Sequence, residues 1–596
     1  MTVEKLITDN IDTWTSALQT RSTAGRGSSG KIDLYGIKKL RELILELAVR
    51  GKLVPQDPND EPASELLKRI AAEKAELVKQ GKIKKQKPLP EISEEEKPFE
   101  LPEGWEWVTL AAVGEIVGGG TPKSDNLQYW TKEGLKWLTP SDLYGLKGKY
   151  ISTGARDITV EGLASSSARM MPKGAVLFSS RAPIGYVAIA GADLSTNQGF
   201  KSCVPYIKES SEYIYYFLLS AAKKIDAEAS GTTFKEVSGA VVSKILMPLP
   251  PLNEQLKIVA RADELISLCD QLEQHSLTTL NAHQQLVETL LATLTDSQSA
   301  AELADNWARI SEHFDTLFTT EASIEALKQT ILQLAVMGKL VPQDPNDEPA
   351  SELLKRIAQE KEQLIKDGKI KKQKPLSPIP ISDDEKPFEL PKGWEWARLS
   401  ELIIEDTQNG LSKKANDDKN GVPLLRISSA TTRSDFIINE KEFKLTSDYS
   451  AAQLMGYALR KGDLLAVRFN GNKDFVGRIA LFSGSTKGPV LYPDKLIRIR
   501  LPAQLIDPLL VRLMFNSKTI RVLIEKYCAT TVGNWGISAK NLKAVLMPVP
   551  PVKEQQRILR TIHDLFIICD NLFVTLKTLQ QTQLHLADAL TDAAIN

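Results

Sequence analysis

The sequence predicts an α+β multidomain protein: two globular, β-rich mixed domains joined by long antiparallel coiled-coil helices, arranged about a pseudo-twofold axis. Three observations carry this. A block of 21 residues, GKLVPQDPNDEPASELLKRIA, stands unchanged at 51–71 and at 338–358, so one structural unit is used twice. FELPEGWEW at 99–107 returns as FELPKGWEW at 388–396, and LMPLPPLNEQ at 246–255 returns as LMPVPPVKEQ at 546–555. Between these anchors, 108–245 and 397–545 diverge. Near-identical frames therefore hold two unlike inserts, which assigns geometry to the frame and selectivity to the inserts.

Taken in order, the chain divides into an N-terminal conserved helical region (1–104), a first variable domain (105–250) and a central conserved region (251–393). A second variable domain (394–550) and a C-terminal conserved helix (551–596) follow. In the first region Leu40, Ile44 and Leu47 form a helical stripe closed by Gly51, matched by Leu327, Ile331, Leu334 and Gly338. Pro62 opens a second helix with Leu66, Ile70 and Leu77 inward, stopped at Gly81. GKIKKQKP at 81–88 and 368–375, followed by acidic runs, reads as a solvated connector or as a phosphate contact, and the Gly/Ser-rich 21–31 as a mobile stretch.

Strands are expected in the inserts at WEWVTL, GAVLFSS, GYVAIAG, DLLAVRF and KLIRIRL, where short apolar runs lie between Gly and Pro. After each proline cluster comes a run with one apolar seam: Leu252, Leu256, Val259, Ala262, Ile266, Cys269 and Leu272. Its copy, offset by 300, has Val552, Leu559, Ile562, Phe566, Cys569, Leu572, Leu576 and Leu579. Two such seams pair as long helices, with Val259, Ile266 and Leu272 facing the same kind of seam as Leu559, Phe566 and Leu572. The C-terminal block repeats the first part of the central block and the N-terminal block its second, so the two ends rebuild one complete copy and the termini are expected to meet.

Composition narrows the class. The N-terminus MTVEKLITDNIDTW lacks an apolar signal region, and no run approaches the ~18 apolar residues of a membrane span. Four cysteines stand far apart without a CxxC pair, as in a reduced cytoplasm, and point to neither disulfides nor zinc. Net charge is zero but unevenly placed: 105–247 carries +2 and 394–547 carries +8, leaving −10 for the remainder. Positive charge in the inserts suits phosphates, and a negative frame suits protein partners.

The insert loops carry polar and basic residues. In the first these are Thr121, Lys123, Ser124, Ser141, Ser180, Arg181, Asn197, Gln198 and Thr233. In the second they are Lys413, Lys414, Arg426, Arg433, Arg468, Asn470, Asn472, Lys473, Thr531 and Asn534. Arg and Lys suit guanine edges and phosphates, and Asn and Gln suit adenine edges. No GxxxxGK[ST] is present, all five histidines fall in the frame, and no glycine-rich strand-to-helix turn suits a nucleotide. Neither a catalytic residue nor a metal site is therefore assigned.

The order of pieces GGGTPKS…YW…LTPSDL (118–143), VLFSSRAPIG (176–185), STNQGFKS (195–202), GDLLAVRFNGN (462–472) and the PLPPLNEQ turns resembles the specificity (S) subunits of type I DNA restriction-modification enzymes. The long repeated blocks resemble the subgroup with extended conserved regions. The resemblance implies that each variable domain is a target-recognition domain reading one half of a bipartite, asymmetric double-stranded DNA site. It also implies that the helices space the readers and dock two modification (methyltransferase) subunits, with restriction/translocase subunits in the full complex. The cofactors, S-adenosylmethionine, ATP and Mg, then belong to those partners and none to this chain. A protein-interaction scaffold with two variable binding domains is the alternative. It accounts for the coiled frame but not for positive charge concentrated in the inserts.

Overall fold

The computed structural model describes residues 3–21, 31–85, 91–181, 183–229, 235–370, 381–413, 415–433, 435–531 and 533–595. The chain forms two compact units. The first takes 1–19, 32–277 and 580–596, and the second 20–31 and 278–579. Two long helices, Leu252–Asp296 and Val552–Ile595, contribute to both: the first unit holds the N-terminal part of one and the C-terminal part of the other, and the second unit the reverse.

In the first unit a helix at Tyr35–Val49 buries Leu40, Ile44 and Leu47, and a helix at Ala63–Lys79 buries Leu66 and Ile70. The C-terminal block joins this module, as the repeat order predicts. Asp588 pairs with Lys39 at 3.0 Å and accepts from Tyr35, and Lys52 donates to the carbonyl of Ile595. In the second unit the helix Glu321–Val336 buries Leu327, Ile331 and Leu334, and Lys339, the counterpart of Lys52, donates to the Thr295 carbonyl at 2.7 Å.

Each variable domain is tied to its frame by a two-stranded antiparallel ribbon. Glu106–Thr109 pairs with Leu246–Leu249, and Glu395–Arg398 pairs with Leu546–Val549. Pro248 and Pro548 are tolerated in these ribbons because each strand has a free edge to which a missing N–H is no loss.

The first domain is built on a five-stranded sheet in the order Gly114–Gly118, Lys201–Pro205, Val176–Ser180, Ile184–Ala190, Tyr150–Ile151. A four-stranded sheet adds Ser195–Thr196, Leu135–Leu138, Arg156–Ile158 and Trp130–Thr131. The second domain has a four-stranded sheet of Glu405–Asn409, Leu496–Arg500, Leu464–Val467 and Ile479–Leu481. A hairpin of Val422–Leu425 with Phe443–Thr446 and a three-stranded sheet of Phe469–Asn470, Asn534–Gly536 and Ala529–Thr531 complete it.

The predicted strands are present. The helices inside the inserts, Ser211–Glu228 in the first and Pro508–Asn516 with Lys518–Glu525 in the second, were not anticipated. In the first, the eight residues YIYYFLLS hide a helix because burial on several sides leaves no 3.6-residue contrast.

The long-helix seam also needs correction. Leu256 and Leu579 are 48% and 57% exposed, while Ile258, Val259, Ala262, Leu265 and Cys269 are buried. A straight helix advances past a 3.5-residue stripe, so the covered face rotates along its length. Ile266 and Leu272 are half-buried. In the second unit Leu559, Phe566 and Leu572 line a cluster built on Ile558, Ile562 and Cys569 together with Leu327, Ile331, Leu291 and Leu294. Burial pushes the thiols of Cys269 and Cys569 up to about 11, in keeping with small core residues. No helix among the described residues is long and apolar enough to cross a membrane.

Candidate nucleic-acid interface

The frame's identical block forms a socket around a buried carboxylate. In the first unit Trp105 Nε1 donates to Glu254 Oε2 at 2.9 Å and Gln56 Nε2 to Glu254 Oε1 at 3.1 Å, while Gln56 also reaches the Gly51 carbonyl at 2.5 Å. The second unit repeats each bond: Trp394 to Glu554 at 3.0 Å, Gln343 to Glu554 at 3.3 Å, and Gln343 to the Gly338 carbonyl at 2.5 Å.

Glu254 and Glu554 are 2% and 1% exposed, and burial raises both carboxyls above their usual range against the pull of the donors. Ion pairs Lys257–Asp60 at 3.1 Å and Arg557–Asp347 at 2.6 Å brace the same corners. Gly51 and Gly338 sit at φ +67° and +69°, where an added Cβ would fall 2.5 Å from Pro102 and Pro391. The repeat is therefore invariant where the incoming strand, the short-helix module and the outgoing long helix converge.

In the first domain several predicted residues gather on one face. Thr121 Oγ1 donates to Gln198, Lys201 Nζ donates to the Gln198 carbonyl at 3.1 Å, and Arg181 and Lys201 share the neighbourhood of Glu236. Burial lowers the Lys201 ammonium, Glu236 raises it, and Arg181 lowers it further. The 119–123 loop is clamped beneath: a Cβ at Gly119 would lie 1.9 Å from the Asn197 carbonyl oxygen, Trp137 Nε1 donates to Gly120 O at 2.9 Å, and Trp130 Nε1 to Lys123 O at 3.1 Å. Arg156 stacks 3.6 Å from the centre of Trp130.

Lys123, Ser124 and Ser141 are exposed, and Asn197 Oδ1 accepts from Gly199 N to shape its turn. Ser180 is a correction. It is fully buried, its hydroxyl donates to Gly199 O at 3.2 Å, and it is enclosed because both faces of the strand Val176–Ser180 are covered. Thr233 and Lys414 lie outside the described residues, as does the side chain of Thr531.

In the second domain the three-stranded sheet collects another group. Arg468 donates to Asp494 O at 3.4 Å and lies 4.7 Å over Phe469. Asn470 accepts from Asn472 N and Asn472 from Asp474 N, both at 2.9 Å, so the oxygens of these amides shape the turn. Lys473 pairs with Glu525 at 3.2 Å and sits 5.2 Å over Trp535, beside the exposed Asn534. Lys413 pairs with Asp448 at 2.6 Å. Arg426 is exposed, and Arg433, farther along the chain, is closed onto Asp435.

Lys201, Arg156 and Trp535 escaped the sequence reading. Lys201 was within reach, since it stands three residues after Gln198 across a turn. Arg156 was not, because its aromatic neighbours are distant in sequence.

The family model described as type I restriction modification DNA specificity domain matches residues 102–282. The type I restriction enzyme EcoEI specificity subunit of Escherichia coli is 50% identical over an alignment 618 positions long, covering 100% of both chains. The EcoAI specificity subunit of the same organism is 50% identical over 616, again covering 100% of both. The crystal structure of the HsdS subunit from Thermoanaerobacter tengcongensis aligns with 84% of this chain and 98% of its own, at 17% identity and a TM-score of 0.38. Half of its residues are shared with two relatives from end to end, and the chain belongs to the family of type I restriction enzyme specificity subunits.

Proposed function

We propose that this chain is the DNA-reading, non-catalytic subunit of a type I restriction-modification complex. Each variable domain, 105–250 and 394–550, reads one half of a bipartite, asymmetric double-stranded site. The observation that carries this reading is the pairing of two near-identical carboxylate sockets with two unlike domains, each bearing basic and amide side chains on exposed loops. Arg468, Lys473 and Lys123 serve as guanine or phosphate contacts, and Asn470, Asn472, Asn534 and Gln198 as adenine-edge contacts.

The negatively charged frame docks two modification subunits, which bring S-adenosylmethionine, and restriction subunits bring ATP and Mg. The complex works in the cytoplasm, where its DNA is. The test is methylation-site mapping in cells carrying this chain with its neighbours, together with gel shifts over a salt series. Binding that weakens steeply with salt and methylation at a split asymmetric site are expected. Salt-insensitive binding, or a single uninterrupted site, would overturn the proposal.

A further inference from the structure

The sockets are alike, but the sides of the frame that meet the readers are not. Glu42 and Glu46 of the first copy stand where the second has Gln329 and Gln333, and Asp263 stands where it has His563. These differences face the reader. The helix Ser211–Glu228 of the first reader packs on Tyr35–Val49, where Lys223 pairs with Glu42 and Ser220 Oγ donates to Glu46 at 3.4 Å.

Beside the edge strand Tyr150–Ile151, Lys149 Nζ lies 2.8 Å from both Asp263 oxygens on the long helix and also pairs with Glu212. Tyr216 OH donates to the same Asp263, and its ring lies 5.4 Å from Lys149 Nζ. The Lys149 side chain is 17% exposed and that of Asp263 43%, and the further bonds to Glu212 and Tyr216 tie this pair in more firmly than a lone surface pair.

The second seat is made differently. Gln329 turns back on its own helix to Glu325 at 2.9 Å, and the reader instead gives Asp507 N–H to Gln555 Oε1 at 3.1 Å. Gln255, the same residue in the first copy, has no hydrogen-bond partner for Oε1 among the described residues. Each reader thus uses contacts that the other seat does not offer. The covalent connection is a two-stranded ribbon, which on its own is only marginally stable, so the side contacts add materially to the seat.

We infer that Lys149–Asp263 and Lys223–Glu42 are positioning contacts that hold the first reader at one angle on its frame, one on the long helix and one on Tyr35–Val49, and that this angle sets which spacer length between DNA half-sites the protein accepts. The inference rests on the DNA-reading function proposed above. It predicts that the two frame positions, though equal as sockets, are keyed to their own readers.

The experiment uses the full chain with its modification subunits. Glu42→Gln with Asp263→His installs side chains that the other copy already carries. Glu42→Lys with Lys223→Glu reverses one pair, against Glu42→Lys alone. Hydrogen exchange in 211–228 reads the seat without DNA. Binding to the mapped site with its spacer shortened or lengthened by one base pair reads the angle.

Exchange should rise in the Gln/His variant, its preference for the natural spacer should fall roughly five-fold, and the reversed pair should recover both relative to Glu42→Lys alone. Unchanged exchange would remove the clamp. Raised exchange with an unaltered spacer preference, or no recovery in the reversed pair, would remove the positioning role. A wild type that binds no bipartite site would refute the DNA reading itself, while exchange would still decide whether the clamp exists.

Discussion

Trp394→Phe tests the socket at its centre. The indole of Trp394 is 5% exposed and gives Glu554, itself 1% exposed, a 3.0 Å hydrogen bond, leaving Gln343 at 3.3 Å as the other donor to that carboxylate. Loss of a hydrogen bond to a buried charge costs about 1.5–3 kcal/mol, and the smaller ring adds about 1 kcal/mol of lost packing. In a unit of this size each kcal/mol lowers the melting temperature by about 2 °C, so scanning calorimetry should record a fall of roughly 5–8 °C in the transition of the second unit.

The cause is separable from ring size. With the indole gone, the carboxylate is under-solvated, so Glu554→Gln added to Trp394→Phe should raise stability, whereas Glu554→Gln alone should not. Trp105→Phe should act likewise in the first unit through Glu254. A Trp394→Phe melting temperature within about 1 °C of wild type, or a double variant less stable than Trp394→Phe, would refute the claim that the buried carboxylate organises the junction.

Burial raises the Glu254 carboxyl in the folded state, so folding binds its proton more tightly than the unfolded chain does. The stability this group contributes therefore grows as pH falls from the raised folded value toward the ordinary carboxylate value, and is lost again as pH rises. Wild type should gain on Glu254→Gln across that window in paired denaturation curves. In the second reader, Asp463 is 2% exposed and grips Arg500 at 2.7 and 2.6 Å, so Asp463→Asn should destabilise by about 3 kcal/mol in urea unfolding. Arg468→Ala should weaken specific DNA binding by about 1–3 kcal/mol in a titration at fixed salt, whereas Ser180→Ala should leave affinity unchanged because that hydroxyl is buried.

What the sequence determined alone is what repeats or has a local cause. The duplicated block announced two frames, Gly51 and Gly338 announced helix ends at positive φ, and short apolar runs between Gly and Pro announced the strands at 176–180, 464–467 and 496–500. The meeting of the two chain ends followed from the order of the blocks alone. These features depend on near neighbours or on self-similarity, and both are visible in one dimension.

Tertiary structure decided what brings distant residues together. It closed Trp105 on Glu254 across 149 residues, laid Lys149 on Asp263 across 114, and stacked Arg156 on Trp130. It also covered both faces of the strand that carries Ser180 and withdrew Leu256 from the seam, because how much of a strand or helix is covered depends on the elements that pack against it. The helix at 211–228 was hidden for the same reason: its stretch 213–218 is buried on every side and shows no contrast that would reveal the period.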